Sequence, residues 1–387
     1  MTFKKVICNG PVFDGRHLFH SGAVLMDGDK ISSVFDAPVQ IPDARIIDAR
    51  GHLIMPGIVD LHSDSLERSI EKRKGVFFDI DFAILNLDRS LAACGITSFF
   101  HAISFADNEL GLRSPKAALQ CLRQIKDYND SGQALVKHFT HVRYEVGSEE
   151  SFAIIKELVQ EGLIDLLSIM DHTPGQGQFT SMASYIKFHA CEYAIPHEEI
   201  QAKAVEKQSR NIRAWQMVSE LTQLVAQANI PMLSHDDDTL SKIDLIHRLG
   251  IRACEFPVTA EAAEAAHCAG MKIFMGAPNL LRNQSTNGNL KASQALSSGH
   301  CNGLVSDYYP ESLVQAAFVA AEYTGDLPCA LGQVTSGPGS FMGHRNGAGT
   351  LEPGKDADII IVNRQNRWAH VTRAFVRGRS VYDIQTP

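Results

Sequence analysis

The sequence contains 387 residues, of which 44% are hydrophobic and 21% are charged, and its formal net charge is -8. This composition is that of a globular protein, and the length suits a large barrel domain with a smaller one. The sequence contains no basic stretch that could follow a phosphate backbone, which argues against nucleic-acid binding. No apolar run approaches the roughly 20 residues of a membrane span, so a membrane is not expected as a partner either.

The cysteines and the first residues indicate a cellular compartment. The eight cysteines are scattered and form no CxxC pair, which argues against a zinc ribbon and a disulfide framework. The opening residues, MTFKKVICNGPVFDG, turn polar too soon for a signal peptide. We therefore expect a cytoplasmic protein with reduced thiols.

Both ends of the chain read as short strands separated by turns. Apolar stretches bounded by Gly, Asp or Pro occupy residues 4–15, 21–35 and 44–57 at one end, and residues 349–363 and 368–383 at the other. Because chain termini often lie close together, we expect residues 1–55 and 346–387 to form one small β-sandwich domain.

The middle of the chain, residues 56–345, alternates apolar runs with helical patterns. The eight candidate strands are GIVDLHSD, ITSFFHAIS, KHFTHVRYEV, LIDLLSIMDH, IPMLSHDD, IRACEFPV, MKIFMGAPN and GLVSDYYP. Helix-like stretches lie at residues 81–93, 114–128, 148–161 and 260–269. Eight such units predict a (β/α)8 TIM-type barrel, so the fold class is α/β. The long helical interval 180–230 could hide a further strand.

Polar side chains close almost every candidate strand. The C-terminal strand ends of such a barrel converge on one face, where active sites are built. Six of these side chains are natural metal ligands: His62, Asp64, Glu145, His172, His235 and Asp307. His101 and Glu255, in the second and sixth candidate strands, could instead orient the ligands.

A structural interpretation competes with the metal interpretation for each residue. A lone His at a strand end is commonly a hydrogen-bonded structural residue, and the other histidines, among them His138, His141 and His344, are taken as structural. The six residues as a set favour a metal, because burying several carboxylates together is costly without a cation. Imidazole and carboxylate ligands suit one or two divalent ions, Zn²⁺ first, with Mn²⁺, Fe²⁺ or Ni²⁺ as alternatives.

This ligand set predicts metal-assisted hydrolysis. A divalent ion lowers the pKa of bound water, and two ions sharing Glu145 would do so more strongly. Asp307 could take the proton from the water and return it to the leaving group. The residues alone leave the bond that is cleaved unnamed.

The quoted strand ends resemble those of the amidohydrolase superfamily, whose first strand usually carries His-x-His where this chain has His62-Ser63-Asp64. Within that superfamily the chain resembles the PhnM family. The segments that carry this resemblance are MDHTPGQGQF, SHDDDT, CEFPVT, GAPNLLR and SDYYPESL. The resemblance implies a metal-bearing barrel with a small β-sandwich. It also implies that the protein removes diphosphate from α-D-ribose 1-methylphosphonate 5-triphosphate in the carbon–phosphorus lyase pathway, leaving the 5-phosphate.

A phosphorylated sugar needs anion contacts in the barrel loops. We expect substrate contacts from Arg68, Glu255, Arg282, Asn287 and Asn289, since guanidinium and amide groups donate to phosphate. After GAPNLLR, however, the family usually reads Gly-Gly-Ser-His-Ser-Gly-Asn, whereas this chain reads NQSTNGN. The sequence therefore leaves open whether the substrate is this compound or a related phosphorylated sugar.

Two other classes of function stay open at this point. The first is an amidohydrolase that cleaves an amide or cyclic amide, of the N-acyl amino acid deacylase or hydantoinase/dihydroorotase type. The second is a barrel scaffold that has lost its metal. A homodimer is a further expectation for this architecture.

Overall fold

The computed structural model describes residues 4–107, 114–173, 211–285, 288–343, 348–365 and 368–384, together with Gly177 and isolated positions between 182 and 205. The strands are β1 (Lys5–Phe13), β2 (Leu18–Asp27), β3 (Lys30–Phe35), β4 (Arg45–Asp48), β5 (Leu53–Pro56), β6 (Ile58–Ser63), β7 (Ile96–Phe105), β8 (Lys137–Glu145), β9 (Leu166–Met170), β10 (Met232–His235), β11 (Ala253–Glu255), β12 (Lys272–Gly276), β13 (Gly303–Val305), β14 (Ile359–Gln365), β15 (Trp368–Val376) and β16 (Arg379–Asp383).

The two chain ends share one mixed sheet. Its strand order is β16-β15-β14-β5-β1-β2-β3, with β4 beside β1. The middle of this sheet joins β5 from the first end to β14 from the second in antiparallel pairing. The predicted joining of the two ends is therefore confirmed, while the domain boundaries at 55/56 and 345/346 stay a prediction.

The second sheet is the predicted barrel. Strands β6 to β13 lie side by side in chain order, all in parallel pairing. The sheet closes where Ser63 forms a parallel bridge with Asp307. All eight predicted strands are present, and β9 pairs directly with β10. The further strand considered for the interval 180–230 falls largely on residues outside those that the structure describes.

Helices cover the outside of the barrel. The described helices are α1 (Ser65–Ile70), α2 (Ile80–Ala93), α3 (Pro115–Asp130), α4 (Glu149–Gln160), α5 (Asn211–Gln227), α6 (Leu240–Arg248), α7 (Ala260–Cys268), α8 (Ala277–Arg282), α9 (Ala292–Ser297), α10 (Ser312–Thr324), α11 (Leu327–Gly332) and α12 (Ser336–Phe341). Side-chain caps define several starts: Ser114, Thr239 and Thr259 each accept a backbone N–H from the first turn of α3, α6 and α7. None of the described helices is both long and apolar enough to cross a bilayer.

His101 lies in the layer between barrel and helices. Strand β7 does not end at His101 but continues to Phe105. The His101 Nε2–H donates to Nδ1 of His138 at 2.8 Å, and the His138 Nε2–H donates to Asp88 on α2 at 3.0 Å. The expected orienting role of His101 is therefore corrected, because its hydrogen-bond partner is His138 and not one of the six predicted ligands.

A buried ion cluster joins the barrel to the mixed sheet. Lys137 begins β8, and its ammonium donates to Asp356 at 2.5 Å and to Asp358 at 2.6 Å. Asp356 also accepts from Lys30 at 2.6 Å, and Arg377 lies 3.4 Å from it. This cluster holds β8, on which part of the site is built, against the strands of the chain ends.

Candidate metal centre

Strand β8 supplies three inward side chains in a row. Phe139 packs against the apolar interior of the barrel. Because alternate residues of a strand share one face, His141, Arg143 and Glu145 follow Phe139 on the inside. All three are buried.

The neighbouring strands follow the same alternation. Residues of the interior apolar cluster on three strands are each followed two positions later by a polar residue at or just beyond the strand end. These pairs are Leu233 and His235, Ala253 and Glu255, and Val305 and Asp307. This period of two therefore places apolar side chains inside the barrel and titratable side chains at the C-terminal strand ends.

A bulge places the first ligand. On β6, Asp60 pairs with Phe99 and Ser63 pairs with His101, so three steps on β6 oppose two on β7. An extra residue of this kind changes the direction in which the following side chains point relative to the sheet. His62 thereby reaches the other imidazoles of the centre, with its ring 5.2 Å from that of His141 and 5.6 Å from that of His235.

Three residues at the strand ends adopt left-handed backbone. Asp236, Phe256 and Asp307 have φ of 57°, 55° and 58°, a conformation that costs free energy for residues other than glycine and that clusters at functional sites. Each donates its amide to the neighbouring strand or strand end, to Glu255, Phe274 and His62 respectively. The chain therefore leaves each strand at a fixed angle, which fixes the direction of the adjoining side chains.

Glu255 joins two imidazoles of the centre. The Nδ1–H of His62 donates to one of its oxygens at 2.7 Å, and the Nδ1–H of His235 donates to the other at 2.9 Å. Burial alone would raise the pKa of Glu255, but the surrounding imidazoles hold that pKa well below its usual range. With Nδ1 donating, each ring in its neutral form carries its lone pair on Nε2.

The ligand atoms form three groups, two of which share His62. Within each group the atoms lie within 4.8 Å of one another: His62, His141 and Glu255; His172, His235 and Asp236; and His62, Asp64 and Asp307. Glu145 supports the second group, because its carboxylate accepts from the Nδ1–H and the backbone N–H of His172 at 2.8 and 3.0 Å.

The residues present fit a divalent ion. Nε2 of His141 is buried and, within the part of the chain that the structure describes, makes no hydrogen bond. Burial, followed by the nearby Asp64 carboxylate, raises the pKa of Asp307 to about 7, as expected where carboxylates crowd together without a cation. Imidazole nitrogens and carboxylate oxygens at this spacing are the ligands of Zn²⁺, Mn²⁺, Fe²⁺ and Ni²⁺.

The structure brings all six predicted ligand residues to one end of the barrel. Three further residues of the centre were not selected from the sequence. His141 and Asp236 are potential ligands, and Arg143 contacts Asp64. The alternation in KHFTHVRYEV carried a signal for His141 and Arg143, and the acidic run after His235 carried one for Asp236.

The predicted substrate contacts, unlike the predicted ligands, lie in different surroundings. Arg68 is exposed, with its guanidinium 4.9 Å from the ring centre of Tyr308. Arg282 is exposed and its Nη2 lies 3.5 Å from Gln284. The backbone carbonyl of Asn289 accepts from Ser285, and Asn287 lies outside the described residues.

Glu255 receives a role different from the predicted contact with substrate. Its side chain is 1% exposed and both of its oxygens are engaged by imidazoles. A group held in this way cannot reach a bound sugar, whereas it can orient two metal ligands.

Known proteins are similar to this chain in sequence and in fold. No protein-family model matches the chain. The chain is 30% identical, over 366 residues, to the alpha-D-ribose 1-methylphosphonate 5-triphosphate diphosphatase of Escherichia coli strain K12, covering 94% of this chain and 96% of that one. A solved amidohydrolase matches with a TM-score of 0.65 at 14% identity, covering 99% of this chain and 100% of that one. The N-isopropylammelide isopropylaminohydrolase of Burkholderia multivorans matches with a TM-score of 0.65 at 17% identity, covering 99% of both chains.

The barrel and the mixed sheet of both chain ends have the amidohydrolase fold, and together with the diphosphatase relative and the cluster of imidazoles and carboxylates they define a metal-dependent hydrolase. The chain belongs to the PhnM family of ribose methylphosphonate triphosphate diphosphatases. The resemblance to the PhnM family that the strand-end motifs indicated is thus confirmed.

Replacing Glu255 by glutamine tests its orienting role. A glutamine can accept only one of the two Nδ1–H bonds, and its NH2 group faces the other imidazole, which must then rotate or change tautomer. We expect zinc affinity, measured by competition with a chromogenic chelator, to fall about 10–100-fold. The matched control is Glu261→Gln on the exposed start of α7. An unchanged affinity in Glu255→Gln would show that the carboxylate does not orient the ligands.

Proposed function

We propose that the protein hydrolyses the phosphoanhydride of α-D-ribose 1-methylphosphonate 5-triphosphate, giving diphosphate and the 5-phosphate. The observation that carries this proposal is the 30% identity that spans 94% of this chain and 96% of a diphosphatase with that substrate in its name. The assembled ligand groups support metal-dependent hydrolysis independently of the relative.

The proposed cofactor is Zn²⁺, with Mn²⁺, Fe²⁺ and Ni²⁺ as alternatives. When bound, a divalent ion lowers the pKa of a water molecule and polarises the anhydride. Two groups of ligand atoms could hold it: His62 with Asp64 and Asp307, or His172 with His235. His141, Asp236 and Glu145 lie close enough to complete its surroundings.

The proton is handled by Asp307 in this proposal. Water adds to a phosphorus of the anhydride, the bond to the bridging oxygen breaks, and the carboxylate of Asp307 takes the water proton and passes it to the departing diphosphate. Asp307 belongs to the same group of ligand atoms as His62 and Asp64, so it would lie beside an ion held by that group.

Arg68 is the proposed contact for the phosphates. Its backbone N–H donates to the carbonyl of Asp64 at 3.4 Å, so it lies one helical turn beyond a predicted ligand. Its guanidinium lies over Tyr308, the residue after Asp307. An exposed cation next to the ligand groups suits a polyphosphate.

Diphosphate release from the proposed substrate is the direct test. Chelator-treated protein is reloaded with Zn²⁺ or Mn²⁺, and products are followed by phosphorus NMR. We expect one equivalent of diphosphate per substrate with metal, and no release after the chelator. Dihydroorotate, a hydantoin and N-acyl amino acids serve as comparison substrates. Cleavage of one of these by metal-loaded protein, without diphosphate release, would establish the alternative amidohydrolase function.

A further inference from the structure

A buried arginine connects two of the ligand groups. Arg143 lies on β8 between His141 and Glu145, and its side chain is 8% exposed. Its Nη1 donates to Oδ1 of Asp64 at 3.0 Å, and its Nη2 donates to Nε2 of His235 at 3.1 Å. Asp64 belongs to the group with His62, and His235 belongs to the group with His172.

The contact with His235 uses a lone pair that a metal ligand needs. Because the Nδ1–H of His235 donates to Glu255, Nε2 carries the only lone pair in the plane of that ring. A guanidinium has no acceptor and does not lose its proton in proteins. Arg143 therefore competes directly with a metal ion for Nε2 of His235 and for one oxygen of Asp64.

The position of Arg143 also decides the local charge. Because two of the three groups share His62, two ions would have to use one of these together with the group of His172. Arg143 contacts Asp64 in the group with Asp307 and His235 in the group with His172. A permanent positive charge in a buried site repels a second divalent cation and itself compensates carboxylate charge. A single ion leaves Arg143 in contact with the group that the ion does not occupy.

We propose that Arg143 takes the place of a second cation, so that the centre binds one divalent ion per chain. The guanidinium supplies a fixed positive charge on the side of the centre where a second ion would otherwise lie. This inference depends on the metal centre but not on the identity of the substrate.

The number of bound ions tests the proposal without any assay of activity. Wild-type protein is incubated with excess Zn²⁺, and separately Mn²⁺, then desalted, and the ions per chain are measured by plasma mass spectrometry and native mass spectrometry. We expect one ion per chain for the wild type and for Arg213→Met, whose wild-type side chain is exposed and pairs with Glu149 on the outer helices. We expect two for Arg143→Met, which keeps the length of the side chain without its charge.

Arg143→Gln guards against a folding defect in the methionine variant, because its amide retains hydrogen-bond donors while removing the charge. Circular dichroism shows which variants are folded, and a folded Arg143→Gln should also bind two ions. Two ions in the wild type, or one ion in every folded Arg143 variant, would overturn the proposal. A wild type that binds no ion would contradict the metal centre itself, which separates the two failures.

Discussion

Replacing Asp307 by asparagine should lower kcat by about 10²–10⁴-fold, the usual contribution of a positioned acid–base group. The backbone of Asp307 is fixed, because its N–H donates to the carbonyl of His62 at 3.0 Å and its carbonyl accepts from the N–H of Asp64 at 2.5 Å. Asparagine tolerates the left-handed φ of 58° better than most residues. The substitution therefore changes the proton acceptor and leaves the strand end in place.

The amide of Asn can still offer an oxygen to a metal, but it cannot accept the proton of an attacking water. Steady-state kinetics with the proposed substrate should be measured at saturating Zn²⁺, with metal content determined on the same samples. Asp238→Asn is the matched control, since it removes the same charge at a side chain that accepts from Gly177. If Asp307→Asn keeps both its metal and its activity, Asp307 is not the proton acceptor.

The barrel could be read from the sequence because its signal is local. Each of the eight strands is an apolar run bounded by turn residues, and the four predicted helices agree with α2, α3, α4 and α7 to within two residues at each end. The strand-end ligands followed from the geometry of a parallel barrel, in which all C-terminal ends share one face. Both inferences use only the order of residues along the chain.

Two side chains of the centre lie in the middle of β8 and not at its end. Glu145 was selected because it ends a strand, whereas His141 and Arg143 lie earlier on the same face. Their orientation follows from the period of two that begins at Phe139. A histidine placed in the middle of a strand therefore has to be judged by the face it occupies.

The roles of Glu255 and His101 depend on partners that are distant in sequence. Glu255 is fixed by His62, 193 residues away, and by His235. The surroundings of His101 depend on the continuation of its strand to Phe105 and on its contact with His138. Neither partner can be inferred from a local pattern, because each depends on which strands become neighbours and in which register.

Replacing Lys137 by methionine should reduce the free energy of unfolding by about 3–5 kcal/mol, the range found when one member of a buried ion pair is removed. The Lys137 side chain is 8% exposed, and those of Asp356 and Asp358 are 13% and 4% exposed. Methionine fills a similar volume but leaves the two carboxylates without the cation that lies between them. Denaturant unfolding followed by circular dichroism measures the change.

Lys30→Met is the matched control, because Lys30 also pairs with Asp356 but is 49% exposed. Exposed pairs contribute about 0–1 kcal/mol, so this variant should unfold near the wild-type midpoint. Equal losses in the two lysine variants would contradict a special contribution from the buried pair. A Lys137→Met/Asp358→Asn double variant should regain part of the loss, since it no longer buries the Asp358 charge.

The same cluster predicts how the effect of Lys137→Met depends on pH. Burial alone would raise the pKa of Asp356, but hydrogen bonds from Lys137 and Lys30 lower it from 3.8 to about 2. A carboxylate with a lowered pKa stabilises the fold above its ordinary pKa, and this contribution disappears as the pH falls through the folded value. The difference in stability between wild type and Lys137→Met should therefore be largest above about pH 4 and should narrow towards about pH 2.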